Sequence, residues 1–409
     1  MRKILAIITL AFPAIMACDP NIINPPTPAA PIAISSPTNG STLHDRQIVR
    51  TVVDNSYIFN RVEFLIDEDS VYSDSTSPYQ YEWNIFEFNS GTSHTLQAVG
   101  YTNDSTFVSA IVNVQLSYTT GFSFISTFGS LSQQASGVIN YGDALFVSNG
   151  ISGLELIDIS NLSSPVFRSR FSASGYALHA DIEYPYVYIA DRDQKVSKAD
   201  FSDPDTMIEE NTQSFTSQVS DVAVSDNYLF VAETDKLTIV RLSNLTQYSN
   251  LSFSDHLNYV VARHDTAFVV GNNSFSIVNC YNPNSIAIVG SYNSLSLGQS
   301  VALADTFAFV ASSDAGVFVF SINDPENPRE LARFNSGLSF VTVDAGDGIL
   351  FAGAATGQIF ALDYHTAGTI SLIDQYSSGN QIKELDYNNN YLYVAASSNV
   401  DILRYVGAQ

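Results

Sequence analysis

A short strand-like segment built around one aromatic residue recurs seven times between residues 145 and 395. The segments read LFVS, VYIA, LFVA, AFVV, AFVA, LFAG and LYVA, and their aromatic residues are Phe146, Tyr188, Phe230, Phe268, Phe309, Phe351 and Tyr393. Successive aromatic residues are 38 to 42 positions apart, which leaves room for about four short strands in each unit. A single four-stranded sheet cannot bury both of its faces, so such units stack against one another. The period therefore predicts an all-β chain whose larger part is a β-propeller.

The two ends of the repeated region complement each other. Residues 122–129, FSFISTFG, match the fourth strand of a repeat, whereas residues 400–406, VDILRYV, match the third. Seven complete sets of the first three strands are present, so the N-terminal strand can complete the last blade and remove the free edge. We expect a seven-bladed propeller in residues 119–409, with six blades as the alternative if residues 118–142 pair differently.

Asp158 lies in the apolar run GLELIDISN and raises the question of a catalytic acid. In the other repeats its position is filled by Asp200, Arg241, Asn279, Ser321, Asp363 and Arg404. A catalytic group is needed once, whereas a residue that ends a strand and bonds the local backbone recurs in every repeat. We interpret Asp158 as a turn residue.

Residues 31–118 show a different pattern, in which apolar and polar residues alternate in about seven short segments. A period of two predicts strands with one buried face, and this number of strands predicts a β-sandwich. Trp83, the only tryptophan, is interpreted as a core anchor rather than as a platform for stacking sugars. Asp67, Glu68 and Asp69 are interpreted as a hairpin turn, because a calcium loop needs wider ligand spacing and a glycine kink.

Both regions resemble known families. The run VEFLIDEDSVYSDSTSPYQYEWNI, followed by GTSHTLQAVGYTNDS, resembles a bacterial Ig-like domain, which implies an Ig-like β-sandwich at residues 31–118. The repeats resemble the LVIVD repeat of bacterial extracellular proteins; GLELIDISN at Gly153 and GVFVFSIND at Gly316 match its pattern best, and the third repeat lacks the glycine before LTIVRLSN. This second resemblance covers residues 120–406 and implies a secreted β-propeller of unassigned activity.

The N-terminus has the composition of a secretory signal. The first 18 residues, MRKILAIITLAFPAIMAC, combine a basic start, an apolar run and a small residue before a cysteine. The run Ile15-Met16-Ala17-Cys18 resembles a bacterial lipobox, which implies removal of residues 1–17 and lipidation of Cys18; an anchor of two or more acyl chains holds stably to a bilayer. The proline-rich residues 18–30 are expected to form an extended tether. We therefore expect a lipid-anchored, extracytoplasmic protein of the bacterial cell envelope, in a leaflet that the sequence leaves open.

The charge balance limits the partners. The chain has 17 Lys and Arg against 41 Asp and Glu, a formal net charge of −24. Such a surface repels phosphate backbones, so nucleic acid is excluded as a partner. The expected partners are the membrane, through lipidated Cys18, and an envelope or extracellular protein or polysaccharide.

One position in the first strand of each repeat varies in chemistry. Nine residues before the aromatic residue stand Gly137, His179, Asp221, Tyr259, Ser300 and Glu384, and Phe340 is assigned to this position in the sixth repeat on the assumption of a longer turn. If the first strand is innermost, these residues form a ring near one mouth of the central channel, where converging side chains make a binding surface. The candidate ligand-binding residues are therefore His179, Asp221, Tyr259, Ser300 and Glu384. The alternative is a set of unrelated strand-end residues.

No catalytic motif stands out in the sequence. The chain contains no HExxH, no GxSxG and no glycine-rich phosphate loop, and we expect no cofactor and no metal. Cys280 is expected to be a buried apolar thiol. A non-catalytic binding or scaffold module for protein or glycan partners is therefore favoured over an enzyme. The alternative is an extracytoplasmic hydrolase or lyase that uses His179, Asp221 and Glu384 at the channel mouth, because propeller active sites draw on distant blades.

Overall fold

The computed structural model describes residues 30–129, 131, 133–173, 175–365 and 369–407. The predicted leader, the predicted lipidation site Cys18 and the tether up to residue 29 lie outside these residues. The described residues form two compact units: the first consists of residues up to Gly121 together with Val406 and Gly407, and the second spans Phe122–Tyr405. In this part of the chain, no helix has the length and apolar character needed to span a membrane.

Two β-sheets and one short 3-10 helix, Ile85–Glu87, make up the described part of the first unit. Its strands are β1 (Ile32–Ser36), β2 (Ser41–Leu43), β3 (Gln47–Val53), β4 (Arg61–Ile66), β5 (Asp69–Asp74), β6 (Gln80–Trp83), β7 (Ser93–Tyr101), β8 (Thr106–Val108) and β9 (Val112–Leu116). One sheet has the order β1-β3-β6, and the other has the order β2-β9-β7-β4-β5 with β8 paired to β7. The unit has nine strands where the alternation predicted about seven.

The inner faces of this unit form one apolar core. Trp83 of β6 is 1% exposed, and Val62 and Phe64 of β4 are buried with it, so the prediction that Trp83 anchors the core is confirmed. Asp67 and Glu68 connect β4 to β5 with φ values of 50° and 74°, which is the backbone of a tight hairpin turn. The acidic segment is a turn, as its composition indicated.

The second unit contains seven four-stranded antiparallel sheets within the described residues, numbered here sheet 1 to sheet 7. The first strands are β11 (Gly137–Tyr141), β15 (Ala177–Glu183), β19 (Val219–Ser225), β23 (Leu257–Arg263), β27 (Gly298–Ala304), β31 (Phe340–Gly346) and β35 (Ile382–Asn388). The second strands are β12 (Ala144–Ser148), β16 (Tyr186–Asp191), β20 (Tyr228–Glu233), β24 (Thr266–Gly271), β28 (Phe307–Ser312), β32 (Ile349–Ala354) and β36 (Tyr391–Ala396).

The outer half of each sheet consists of its third and fourth strands. The third strands are β13 (Leu154–Asp158), β17 (Lys195–Asp200), β21 (Lys236–Arg241), β25 (Phe275–Asn279), β29 (Gly316–Ser321), β33 (Gln358–Asp363) and β37 (Asn399–Val406). The fourth strands of sheets 1 to 6 are β14 (Val166–Phe171), β18 (Ile208–Ser214), β22 (Gln247–Ser252), β26 (Ala287–Tyr292), β30 (Arg329–Phe334) and β34 (Ser371–Ser377). Sheet 7 has the order β10-β37-β36-β35, so its fourth strand is β10 (Gly121–Phe128) from the start of the unit.

Neighbouring sheets bury apolar side chains between their faces. Tyr188 of sheet 2, for example, packs with Val222 and Leu229 of sheet 3. The first strands lie side by side in consecutive sheets, and β11 also lies beside β35. Sheets 1 and 7 share an apolar cluster that includes Val147 and Tyr393. Because the second and third strands are covered on both faces, they read as nearly continuous apolar runs in the sequence.

The ends of the third strands explain the recurring Asp and Asn. Asp158 ends β13, and its Oδ1 accepts a hydrogen bond from the Ser160 N–H at 2.9 Å. The Asn279 side chain accepts one from the Tyr281 N–H, also at 2.9 Å. These local bonds stabilise the turn that leaves the strand, so the interpretation of Asp158 as a turn residue is confirmed.

The glycine before the third strand also has a structural reason. Gly153 and Gly316 have φ values of +90° and +95°. A Cβ on Gly153 would lie 1.9 Å from the carbonyl oxygen of Phe171, and one on Gly316 would lie 2.2 Å from that of Phe334. The pattern thus uses glycine where a side chain would meet the fourth strand.

Cys280 directly follows β25 and is 2% exposed among apolar side chains. Burial raises the pKa of its thiol to about 12. The thiol therefore stays neutral and packs as an apolar group, as predicted.

Candidate functional site

Within the described residues, the first strands of six sheets each contain a β-bulge at the same place. In β15, Ala177 pairs with Asp191 and His179 pairs with Ala190, so Leu178 is the extra residue. A bulge bends the strand and changes the direction of a side chain. The six bulge residues all line one cavity: Leu178, Ser220, Asn258, Gln299, Val341 and Lys383.

The residue after each bulge belongs to a ring of equivalent positions. These positions are held by His179, Asp221, Tyr259, Ser300, Thr342 and Glu384, with Gly137 in sheet 1. The structure thus places the five candidate residues on neighbouring or nearby first strands at the same height. We call this set the polar ring.

The assignment of Phe340 to the sixth position of the polar ring is wrong. Thr342 pairs with Gly353 just as Ser300 pairs with Ala311, whereas Phe340 is fully buried in an apolar cluster. The turn between β31 and β32 has the same length as the turns in the other sheets. The assumption of a longer turn caused the error.

Three members of the polar ring meet in one hydrogen-bonded cluster. Oε1 of Glu384 lies 2.9 Å from the Tyr259 hydroxyl, which donates to it, and 3.0 Å from Nδ1 of His179. Oε2 of Glu384 accepts a hydrogen bond from the Val138 N–H at 2.7 Å. These groups come from sheets 7, 4, 2 and 1. The Glu384 carboxylate therefore ties together four sheets that are not all neighbours.

Other members of the polar ring bond the backbone of the next sheet. The acceptor and donor pairs are Asp221 with the Val260 N–H at 2.9 Å, Ser300 with the Val343 N–H at 2.9 Å, and Thr342 with the Leu385 N–H at 3.2 Å. The first strands of different sheets do not pair through their backbones. These side chains therefore supply the acceptors for buried N–H groups on the neighbouring first strand. His179 and Asp221 interact through their charges and make their hydrogen bonds to other groups.

A second set of carboxylates lies two residues further along three of the first strands. Asp181 accepts a hydrogen bond from the Val224 N–H at 2.7 Å, and Asp344 and Asp386 accept bonds from the N–H groups of Tyr387 and Asn140, both at 2.6 Å. These three aspartates were not among the candidates predicted from the sequence. Their spacing of two from the polar ring was the available signal, because alternate residues of a strand share a face.

Burial controls the ionisation of these groups. It raises the pKa of Asp221 to about 7, although His179 opposes the shift. It also raises the pKa of Asp181 to about 6 and that of Asp386 well above its usual range. Burial alone would lower the pKa of His179, but the charges of Glu384 and Asp221 outweigh it and raise this pKa to about 9. His179 is therefore a cation at neutral pH and forms an ion pair with Glu384.

Two cavities lie along the first strands. The mouth cavity has a volume of about 480 Å³, and its lining includes Gln134, Tyr176, Gln218, His256, Asn258, Gln299 and Gln381. The inner cavity has a volume of about 380 Å³, and its lining includes Asp181, Asp221, Asp344 and Asp386. His179, Tyr259 and Glu384 line both cavities, so their cluster lies between a mouth rich in amides and an acidic interior.

The mouth cavity is chemically suited to a neutral polar ligand. Amide side chains both donate and accept hydrogen bonds, and Gln134, Gln218 and Gln381 each stand three residues before the polar ring. Arg192 and Lys383 add positive charge at this end. These residues were not predicted as site residues, although the constant offset of the three glutamines from the polar ring is visible in the sequence. No group of three or more His, Cys, Asp or Glu side chains in the described part of the chain is arranged to hold a metal ion.

We expect the second unit to become less stable as the pH rises from about 5 to about 9. Asp181 and Asp221 have folded-state pKa values raised to about 6 and about 7. Folding therefore favours their protonated forms, and the stability this adds is complete below pH about 4 and is lost as the pH passes those values. His179, with its pKa raised from 6.5 to about 9, adds a second loss in the same direction.

Urea unfolding at a series of pH values measures this effect. We expect the free energy of unfolding to fall by at least about 2 kcal/mol over this range. The Asp221→Asn variant keeps an acceptor for the Val260 N–H and removes one titration, so its profile should be flatter. A free energy that rises with pH over this interval would contradict the burial of these carboxyl groups.

Two families match parts of the chain. Residues 31–98 match the family described as Bacterial Ig domain, and residues 133–172, 217–254 and 298–336 match the LVIVD repeat. The chain thus carries a bacterial Ig domain followed by LVIVD repeats, as the residue patterns indicated. No curated protein shows significant similarity to the chain.

Two solved β-propellers are similar in fold. The β-propeller domain of Myceliophteria thermophila Cps50 (Swd1) has 13% sequence identity and a TM-score of 0.59, over 69% of this chain and 99% of that one. The WD40 β-propeller domain of Doa1 has 11% identity and a TM-score of 0.60, over 70% of this chain and 97% of that one. At these identities the similarity shows the β-propeller fold alone.

Proposed function

We propose that this Ig-domain and LVIVD-repeat chain is a lipid-anchored, extracytoplasmic binding module. Its β-propeller is a closed ring of seven blades, and the mouth cavity of the ring binds a glycan or peptide partner without consuming it. The lipid on Cys18 holds the protein to the membrane, and the proline-rich tether and the Ig domain act as spacers. The propeller fold is consistent with a binding or scaffold role.

The closed ring is supported by the sheets at the two ends of the unit. The strand β10 completes sheet 7, as a strand from the start of the domain does when it closes a ring. The side chain of Thr127 on β10 donates to the carbonyl oxygen of Val400 on β37 at 3.3 Å, and Asn399 donates to the Thr127 hydroxyl at 3.1 Å. Sheets 1 and 7 also share buried apolar side chains.

The observation that supports binding rather than catalysis is that the acidic groups of the polar ring already make hydrogen bonds within the chain. Both oxygens of Glu384 and the Oδ2 atom of Asp221 already accept hydrogen bonds from this chain. A general acid or base needs a free face toward the substrate, whereas these groups hold the sheets together. The amide groups above them are left to contact a ligand.

The lipid anchor and the envelope location are supported by the N-terminal sequence. A basic start, an apolar run and the lipobox-like Ile15-Met16-Ala17-Cys18 fit the processing of a bacterial lipoprotein. Radiolabelled palmitate should be incorporated into the wild-type protein and not into Cys18→Ser. Equal incorporation in both would remove the anchor from the proposal.

A binding screen of the purified full chain against neutral oligosaccharides and peptides tests the mouth cavity. We expect a ligand whose affinity falls at least about tenfold when Gln134, Gln218 and Gln381 are replaced together by alanine, since each lost hydrogen bond contributes about 1 kcal/mol. Gln247→Ala is the matched control, because Gln247 is exposed on an outer strand.

The same assay separates binding from catalysis. An intact ligand recovered after prolonged incubation supports the proposal. Turnover of the ligand that is abolished by replacing His179, Asp221 and Glu384 with alanine would favour the hydrolase or lyase instead. Equal binding by the triple glutamine variant and the wild-type protein would also overturn the assignment of the site.

A further inference from the structure

A buried lysine occupies a core position in sheet 2. In the third strand of each sheet, one residue pairs with the aromatic residue of the repeat, and Lys198 pairs with Tyr188 in this way. The six equivalent residues are all aliphatic: Leu156, Ile239, Ile277, Val319, Ala361 and Ile402. The repeat therefore demands an apolar side chain here, and sheet 2 departs from it.

The surroundings of Lys198 do not neutralise its charge. The residue is only 6% exposed, and its Nζ lies 3.6 Å from the centroid of the Tyr186 ring. Within the described residues it makes no ion pair, although Glu210 and Asp200 act on it from a greater distance. Burial lowers the pKa of Lys198 against the influence of these two carboxylates. An ammonium group buried without a counter-ion destabilises a fold, so a ligand that carries a negative charge would find a favourable partner in Lys198.

Lys198 lines a cleft between sheets 2 and 3. The cleft has a volume of about 510 Å³, and five tyrosines line it: Tyr184, Tyr186, Tyr188, Tyr228 and Tyr248. Its second basic group is Arg241, whose Nε donates to the Tyr248 hydroxyl at 2.8 Å. The cleft is thus an aromatic pocket with an ammonium group in its wall and a guanidinium group fixed beside it.

The charges of the cleft favour an anion. Glu183 and Asp226 also line it, but both are exposed, and solvent screens exposed charges strongly. Lys198 is buried, so the lower dielectric around it screens its charge less than solvent screens the exposed carboxylates. A cationic ligand would compete with Lys198 and Arg241, which already contact the faces of Tyr186 and Tyr248.

The tyrosines favour a ligand with one apolar face and a polar edge. A sugar ring presents C–H groups on its face and hydroxyl groups around its edge. Tyrosine offers both an apolar ring and a hydroxyl that donates and accepts hydrogen bonds. Asn227 and Ser243 supply further polar groups in the same wall.

We propose that this cleft binds a carboxylate-bearing sugar, with the carboxylate at the Lys198 ammonium group and the sugar ring against the tyrosines. The site is separate from the mouth cavity, because no residue lines both.

Calorimetric titration of the full chain with sodium glucuronate tests the proposal, with glucose and sodium acetate as comparison ligands. We expect glucuronate to bind and both comparison ligands to bind at least about tenfold more weakly, because glucose lacks the charge and acetate lacks the ring. Lys198→Met should weaken glucuronate binding at least about tenfold, the loss of one charge-assisted hydrogen bond. Arg329→Met removes an exposed positive charge on β30, outside both cavities, and should leave the affinity unchanged.

The Lys198→Met variant also has a stability readout. Methionine restores the apolar character of the other six sheets, so the melting temperature should rise while binding is lost. Glucuronate binding that is absent in the wild type, or equal in Lys198→Met, would overturn the proposal. Acetate that binds as tightly as glucuronate would show that the tyrosines contribute nothing, and this result would overturn it as well.

Discussion

Replacing Glu384 by alanine is expected to destabilise the second unit by about 3–5 kcal/mol. The change removes the acceptor of the Val138 N–H and of the Tyr259 hydroxyl, and it leaves His179 without its ion-pair partner. A buried donor without an acceptor costs about 1–3 kcal/mol, and breaking a buried ion pair costs about 3–5 kcal/mol. Because one carboxylate makes all these contacts, we take the larger range for the whole change. Urea unfolding at neutral pH measures it.

Two further variants separate the effect of the Glu384 charge from the effect of removing any carboxylate. Glu384→Gln retains an oxygen for hydrogen bonds and loses the charge, so its loss of stability should be smaller than that of alanine. Glu326→Ala removes an exposed carboxylate and should change the free energy of unfolding by less than about 0.5 kcal/mol. A Glu384→Ala protein as stable as the wild type would mean that the cluster does not join the sheets.

Replacing Phe122 by alanine is expected to destabilise the second unit by about 3 kcal/mol. The Phe122 ring lies 4.9 Å from the ring of Tyr405 and 6.0 Å from those of Phe351 and Tyr376, between centroids. Its N–H donates to Asp374 at 2.9 Å. Phe122 is half-buried against an apolar cluster, so its deletion should cost about as much as the low end of the 3–5 kcal/mol that removal of a phenyl group from a core costs. Calorimetry should show a melting temperature lower by roughly 10 °C.

The same strand provides the control for this prediction. Phe124 is two residues further along β10 and is 52% exposed, so Phe124→Ala should change stability by less than about 0.5 kcal/mol. Equal and small effects at both positions would mean that β10 contributes little to the fold of sheet 7. The difference between the two variants therefore reports on the packing of β10.

Most of the predicted architecture followed from the period of the repeat. The seven aromatic residues lie on the second strands of seven sheets, and Asp158 forms the local turn that its substitution pattern indicated. Both features follow from short-range chemistry: strand alternation, and a side chain that bonds a backbone N–H two residues away. Such features repeat in every unit, so a single sequence displays them several times.

The chemistry of the polar ring could be predicted only in part. Counting back from the aromatic residue selected His179, Asp221, Tyr259, Ser300 and Glu384, but the sequence did not reveal that Tyr259 reaches Glu384 from a sheet that is not its neighbour. Contacts between sheets that are far apart in the sequence depend on how the sheets are arranged around one another, which no local pattern encodes. The bulges were missed because one extra residue shifts the alternation by a single position, and a strand of seven residues is too short to reveal the shift.

The variable chemistry of the polar ring has a structural meaning. Asp221, Ser300 and Thr342 differ in charge and size, yet the side chain of each accepts a hydrogen bond from a backbone N–H of the next sheet. Any short side chain with an oxygen acceptor can make this bond. Variation at a repeated position therefore does not by itself indicate a ligand, and the stronger candidates are the unshared amides of the mouth cavity and Lys198.

Amide hydrogen exchange of the full-length protein tests the closed ring most directly. If β10 completes sheet 7 as the fourth strand of a ring, peptides from residues 121–128 should be protected as strongly as those from the other fourth strands, such as residues 247–252, because all of them occupy the same outer position in a sheet. Rapid exchange in residues 121–128 with continued protection of residues 399–406 would contradict a ring closed by the N-terminal strand.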